Sequence, residues 1–199
     1  ERTAAGGVDV SRVLIKADHP SAAYLAILDE AGEKSISIDD MGIMASVTPQ
    51  YIYAHRRWIK EADMVVMDAN LSPKAVRSLI STAKKYGVPV CADPTSAILA
   101  QRLIEHLPGL YMVTPDASEA KALCEARLTG RSEAIRAAKR LIAMGVDIAI
   151  ITLAEKGLCY ATSDVGGYIP AIRSEIVDRT GAGDALTAGV VFGLLNDFP

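Results

Sequence analysis

Apolar and polar positions follow two different rhythms along this chain. Over residues 13–38 the apolar positions come in short runs, at 13–15, 23–28 and 35–38, with the turn Asp29-Glu30-Ala31-Gly32 between the last two. Short runs separated by a Gly-containing turn predict a hairpin. No helical period interrupts them, so this stretch predicts a small antiparallel sheet.

From residue 49 helix and strand signals alternate. Residues 49–60 predict a helix with Pro49 in its first turn, and 64–67 form a continuous apolar strand suited to a buried parallel sheet. Ser72 and Pro73 predict a capped helix whose face is Val76, Leu79, Ile80 and Ala83, stopped by Gly87. A strand at 88–92, a short helix at 96–105 and a strand at 110–113 follow. Residues 115–125 predict a helix, and Ser132 predicts the cap of another that runs to Met144 and stops at Gly145. Strands at 147–152, 158–161 and 167–169 come next, the last two antiparallel, and a helix at 183–195 ends the pattern. Repeated strand–helix units predict a mostly parallel sheet with helices on both faces. The expected fold is therefore α/β, three layers with a small antiparallel β lid: residues 1–40 carry part of the lid and its connections, and 41–199 an incomplete α/β core.

Composition narrows the function. Of 199 residues, 50% are hydrophobic and the formal net charge is −3, with mean hydropathy +0.22 and pI near 5.6. Such a chain packs a core and carries no basic stripe for nucleic acid or an anionic membrane. No apolar run reaches the roughly 18 residues of a membrane span. Cys91, Cys124 and Cys159 are dispersed, without a CxxC pair, and the histidines lack metal-ligand spacing. Reduced core thiols and a cytoplasmic location are the expectation. The first residue is Glu rather than Met and the last follow directly on an apolar helical run, so an excerpt of a longer chain is expected.

In open α/β sheets ligands lie beyond the carboxyl ends of the strands. That directs attention to Asp68-Ala69-Asn70, Asp93-Pro94, Thr114-Pro115-Asp116 and Thr152, although turn chemistry alone also favours Asp and Asn there. The strongest chemical signal is Val177-Asp178-Arg179-Thr180-Gly181-Ala182-Gly183-Asp184-Ala185-Leu186. Two glycines just before an apolar helix let several backbone N–H groups converge, and the helix start adds partial positive charge. Together they can hold a phosphoryl group while its charge grows. Asp184, in the first helical turn, can take a proton from an attacking hydroxyl. The bland alternative is a Gly-rich turn with Asp184 stabilising the helix start. A Walker A loop lacks its Gly-Lys-Ser/Thr here, and a dinucleotide fingerprint lacks its third Gly, since position 186 is Leu.

The stretch from Asp178 to Asp184 resembles the C-terminal signature of ribokinase-like (phosphofructokinase-B type) carbohydrate and nucleoside kinases. The resemblance implies Asp184 as base, with Gly181, Ala182 and Gly183 as the anion hole. Thr114-Pro115-Asp116-Ala117-Ser118-Glu119 resembles the family's Asn-Pro-Asn-x-x-Glu element, which implies that Glu119 organises Mg²⁺ and phosphates through water. Thr114 and Asp116 replace the two Asn, and Asp116 with Glu119 fits a helix capping box equally well. Thr152-Leu153-Ala154-Glu155-Lys156-Gly157 is similar to the family's Thr-x-Gly-x-x-Gly nucleotide loop, with Ala154 departing and Gly157 matching; a plain β-turn also explains Gly157. Thr152, Gly157, Thr180, Asp116 and Glu119 are thus the nucleotide-side candidates. Asn70 and Asp93 are candidates on the substrate or phosphate side. Asp178 and Thr180 match a site for a monovalent cation such as K⁺.

Tyr24 to Asp29, Asp40-Met41, Asp68-Ala69-Asn70 and Asp93-Pro94-Thr95-Ser96 look most like the pseudouridine kinase branch. The resemblance therefore implies ATP and Mg²⁺ as cofactors, transfer to a ribosyl hydroxyl, most readily the 5′-hydroxyl of pseudouridine, and a homodimer joined through lids that close over the sugar. Ribose or adenosine phosphorylation, or sugar binding without catalysis, are the alternatives. Family members carry further residues before and after such a segment, so the 199 residues alone are expected to be poorly stable and inactive.

Overall fold

The computed structural model describes residues 2–29, 34–126, 128–172 and 180–198. It separates into two compact units, Glu1–Ser46 and Val47–Pro199. The first holds a short helix α1 (Arg2–Ala5) and two strands, β1 (Ala23–Leu28) and β2 (Lys34–Asp40), paired antiparallel with Leu25 opposite Ile38 and Ile27 opposite Ile36. Those four side chains share one face, and each is more than half exposed. The turn expected at 29–32 falls largely outside the described residues. The strand expected at 13–15 does not form; it has no partner strand among the described residues, and an unpaired ladder gains nothing over hydrated backbone.

The second unit runs α2 (Pro49–Ala54), α3 (Arg56–Glu61), β3 (Val65–Asp68), α4 (Pro73–Tyr86), β4 (Val90–Asp93), α5 (Ala97–Ala100), β5 (Met112–Val113), α6 (Ala117–Cys124), α7 (Arg131–Ala143), β6 (Ile148–Thr152), β7 (Leu158–Ala161), β8 (Gly166–Ile169) and α8 (Ala182–Leu195). The sheet order is β3-β4-β5-β6-β7-β8. The first four strands are parallel and the last two antiparallel. This is the expected mostly parallel sheet flanked by helices. Alternation along the strands sends Cys91, Met112 and Ile150 to one face. There Leu186, Val190, Val191 and Leu194 of α8 cover them. Val90, Ala92, Val113, Ala149 and Ile151 are buried on the opposite face, where α7 packs along β6, β7 and β8.

Ser72 caps α4, accepting from the Ala75 amide at 3.2 Å, and Gly87 ends it in the left-handed region at φ 70°. Four expected boundaries change for identifiable reasons. The helix over 49–60 breaks at His55, whose ring Nδ1 donates to the Tyr51 carbonyl at 2.8 Å and competes for a backbone acceptor. The helix over 96–105 is α for four residues and then 3₁₀ from Gln101 to Gly109, with Pro108 unable to donate an i−4 bond. Gly130, not Ser132, is the N-cap of α7; the Glu133 carboxylate bonds its own amide instead and is held below its ordinary pKa by that bond and by Arg136. Pro115 stays outside α6, which Asp116 caps.

Met112 is fully buried between sheet and α8. Met112→Ala should cost the complete protein about 2–5 kcal/mol in denaturant unfolding. An unchanged midpoint would mean that α8 does not rely on this contact.

Candidate phosphoryl-transfer site

The carboxyl ends of β3, β4 and β5 and the start of α8 supply polar groups to one edge of the Val47–Pro199 unit. Asp68 ends β3 and accepts from Asn70 twice, from its backbone amide and its Nδ2, both at 3.0 Å. Asn70 is therefore turned onto Asp68. Asp93 ends β4, and its Oδ1 accepts from the Thr95 amide at 2.8 Å. Thr95 holds φ 66°, a left-handed conformation costly for a β-branched residue. Its hydroxyl reaches back to the Ala69 amide at 3.2 Å, so the β3 and β4 exits are tied together.

Burial pushes the Asp93 carboxyl above its ordinary pKa, the Thr95 amide pulls it back, and the charges of Asp184, Asp68 and Asp116 add to the rise. Asp184, Asp68 and Asp116 each lie close enough to Asp93 for their charges to act on it. The start of α8 therefore lies within electrostatic reach of the β4 exit.

Asp116 and Glu119 form a complete capping box. Asp116 Oδ1 accepts from the Ser118 amide at 2.7 Å and the Glu119 amide at 2.8 Å, while Glu119 Oε2 accepts from the Asp116 amide at 2.8 Å. The helix-start explanation of these two residues is what the local geometry satisfies. Glu119 is also buried, which pushes its carboxyl up from 4.5 to about 7; the Asp116 amide opposes this, and the charges of Asp116 and Asp93 reinforce it.

The start of α8 is a helix N-terminus opened by a glycine. Gly181 is its N-cap at φ 80°, a left-handed turn that a Cβ would strain. The first backbone bond runs from the Ala185 amide to the Gly181 carbonyl at 2.9 Å. The amides of Ala182, Gly183 and Asp184 have no acceptor among the described residues, as expected for a helix start. A Cβ on Gly183 would meet no described residue within 4 Å. Asp184 and Thr180 are exposed. Asp178 lies outside the described residues.

Thr152 ends β6. Its amide donates to the Pro115 carbonyl at 3.0 Å, and it bridges to Asp116. The loop after it turns through a 3₁₀ segment, Ala154–Lys156. Ala154 sits at φ 51°, where the resembling pattern has Gly. Gly157 is sterically obligatory: a Cβ would lie 2.6 Å from the Ala171 nitrogen and collide with the Ile169 carbonyl. The turn by itself therefore accounts for Gly157.

Thr187 was overlooked in the sequence. It is the one buried residue of α8, and its hydroxyl meets that of Thr114 at 2.9 Å. A lone polar residue in the run from Ala185 to Leu195 was the available signal.

A family model described as pfkB family carbohydrate kinase matches residues 1–198. Pseudouridine kinase of Escherichia coli K12 is 29% identical over 199 residues, covering 100% of this chain and 63% of that protein. A carbohydrate kinase from Agrobacterium tumefaciens superposes with TM-score 0.71 at 25% identity, over 90% of this chain and 57% of that one. Arabidopsis thaliana ribokinase, solved with ribose and ATP, superposes with TM-score 0.74 at 20% identity over 90% of this chain and 58% of that one. At that identity it speaks for the fold alone. The chain spans less than two thirds of the curated relatives it matches.

Glu119 titrates near 7 in the folded state against 4.5 unperturbed. Its contribution to stability is complete below about 4.5 and is lost as pH rises through about 7, because the folded form holds the proton more tightly. Glu119→Gln, which keeps the cap and removes the titration, should flatten the fall in melting temperature between about pH 5 and 8, measured without nucleotide or metal. An equally steep fall in the variant would refute this, since only the Asp93 contribution, of the same sign, should remain.

Proposed function

The chain belongs to the pfkB family of carbohydrate kinases, and from that premise we propose that its full-length protein transfers the γ-phosphate of ATP to a hydroxyl of a ribosyl compound, foremost the 5′-hydroxyl of pseudouridine. The observation that carries the reading is the start of α8: three amides without an acceptor among the described residues, and an exposed carboxylate beside them. Pseudouridine as acceptor is supported by the Escherichia coli relative at 29% identity.

In this reading Asp184 takes the proton of the acceptor hydroxyl as its oxygen bonds to the γ-phosphorus. The bond from that phosphorus to the bridging oxygen breaks, and ADP leaves. The amides of Ala182, Gly183 and Asp184 and the turn at Gly181 hold the oxygens of the moving group, whose charge the helix dipole favours. Thr152 and Gly157 belong to the nucleotide side. Asn70 and Asp93 belong to the acceptor or phosphate side.

The donor set fits Mg²⁺ bound with the nucleotide. Among the described residues no three of His, Cys, Asp or Glu converge to hold an ion by themselves. Mg²⁺ keeps water and phosphate in its shell, so Glu119 would hold it through water beside Asp116. Bound there, it would offset phosphate charge. Asp178 and Thr180 are assigned to K⁺ by resemblance. Three buried, unbridged cysteines fit a cytoplasmic location, and among the described residues no helix is long and apolar enough to cross a membrane.

A homodimer through β1 and β2 belongs to the same proposal. Leu25, Ile27, Ile36 and Ile38 give a two-stranded sheet one exposed aliphatic face, and such a sheet is marginal unless covered. Ile38→Lys should yield monomers in sedimentation; an unaltered dimer would place the interface elsewhere.

Asp184→Asn should lower kcat in the full-length protein by roughly a hundred- to ten-thousand-fold, the range of general base catalysis, while calorimetry still detects the sugar. Near-normal turnover would eliminate the base. A panel of pseudouridine, ribose and adenosine assigns the acceptor, and binding without turnover of any of them would favour a sugar-binding relative.

A further inference from the structure

We propose that the Thr114 and Thr187 hydroxyls form a buried clamp that holds the first turn of α8 in register with the β5 exit, making both threonines positioning residues for phosphoryl transfer. The proposal rests on the reading of Asp184 and its neighbouring amides as the reacting end.

Thr114, Glu119 and Thr187 are the buried polar side chains among the described residues, at 6%, 7% and 5% exposure. Glu119 closes the capping box. The two threonines close on each other, 2.9 Å apart across 73 positions of sequence. A buried hydroxyl is costly unless bonded, so each makes the other tolerable only at one relative placement of helix and strand.

A helical threonine has a local alternative, the carbonyl four residues back. Thr82 takes it, donating to the Ser78 carbonyl at 2.7 Å. Thr187 instead reaches out of its helix to the strand exit. The rest of the α8 seat is Leu186, Val190, Val191 and Leu194 against Cys91, Met112 and Ile150. Apolar contacts of this kind are non-directional. They press the helix onto the sheet without fixing how far it slides or turns, and a hydroxyl pair fixes both.

The consequence reaches the reacting groups. Thr187 follows Asp184 by three residues, adjacent on the helix surface and about 4.5 Å along its axis. Thr114 directly precedes Pro115, whose carbonyl accepts from Thr152, and Asp116, which caps α6. One bond therefore registers the carboxylate and amides of α8 against the ends of β5 and β6 and the Glu119 helix.

The test compares Thr114→Val, Thr187→Val, the double valine variant and Thr187→Ser in the full-length protein, with Asp184→Asn alongside. Valine keeps the shape and removes the hydroxyl. Loss of register should lower kcat by roughly 10- to 100-fold, as sub-ångström to ångström misplacement does, with sugar KM within about threefold of the parent. Thr187→Ser keeps the pair and should stay within about threefold in kcat. The double variant leaves no orphaned hydroxyl, so its melting temperature should exceed that of either single while kcat stays low. If kcat follows the presence of both hydroxyls across the set, the clamp stands. If it follows melting temperature instead, or if the double variant turns over normally while Asp184→Asn is inactive, the clamp is overturned. Full turnover by Asp184→Asn would overturn the base assignment and, with it, the need for a clamp.

Discussion

The seating of α8 on Cys91, Met112 and Ile150 is the contact on which the rest of this structure depends. Burying those three residues on one face and Val90, Val113 and Ile151 on the other is what makes a parallel sheet stable. Once the helix lies there, its amino end is at the carboxyl ends of the strands. Its first amides, without an acceptor among the described residues, and its partial positive charge then lie toward the strand exits. The chemistry of the edge thus begins with hydrophobic packing: the core presses α8 onto that face of the sheet, and the Thr114–Thr187 hydroxyl pair joins the helix to the β5 exit.

That arrangement gathers acidic groups as well as donors. The charges of Asp184, Asp68 and Asp116 bear on Asp93 at the strand exits, and Glu119 is raised to about 7 by its burial and by the charges of Asp116 and Asp93. Carboxylates crowded in this way oppose ionisation. Backbone donors offset part of the cost: the Thr95 amide serves Asp93, and the Ser118 and Glu119 amides serve Asp116. A cation at this edge would offset more of it.

Much of this was legible in the sequence. Apolar runs of four or five residues separated by capped helices specify a doubly covered sheet, and Ser72-Pro73 with Gly87 marked a helix to the residue. Gly181-Ala182-Gly183-Asp184 showed where the apolar helix begins, to within one position. Local pattern could not show what tertiary partners decide. The run at 13–15 has strand composition but no strand to pair with. Ser132 has cap chemistry but lies inside the helix that Gly130 begins. Thr187 looks like a weak spot in an apolar helix until Thr114, 73 residues away, is placed opposite it. Burial of Glu119 likewise depends on packing that no hexapeptide motif encodes.

The loop after β6 separates what chemistry requires from what the backbone path requires. Gly157 cannot be replaced without collision against 169–171, so its presence follows from the hairpin whatever the loop binds. Ala154 occupies a left-handed conformation, φ 51°, that glycine would adopt freely. The path is therefore kept at a position where the residue no longer favours it. Turns held against local preference persist when surrounding contacts over-determine them, here the Leu153 amide on the Gly157 carbonyl at 2.8 Å and the β6–β7 pairing beyond it. The strain at Ala154 is thus borne by the hairpin that follows it.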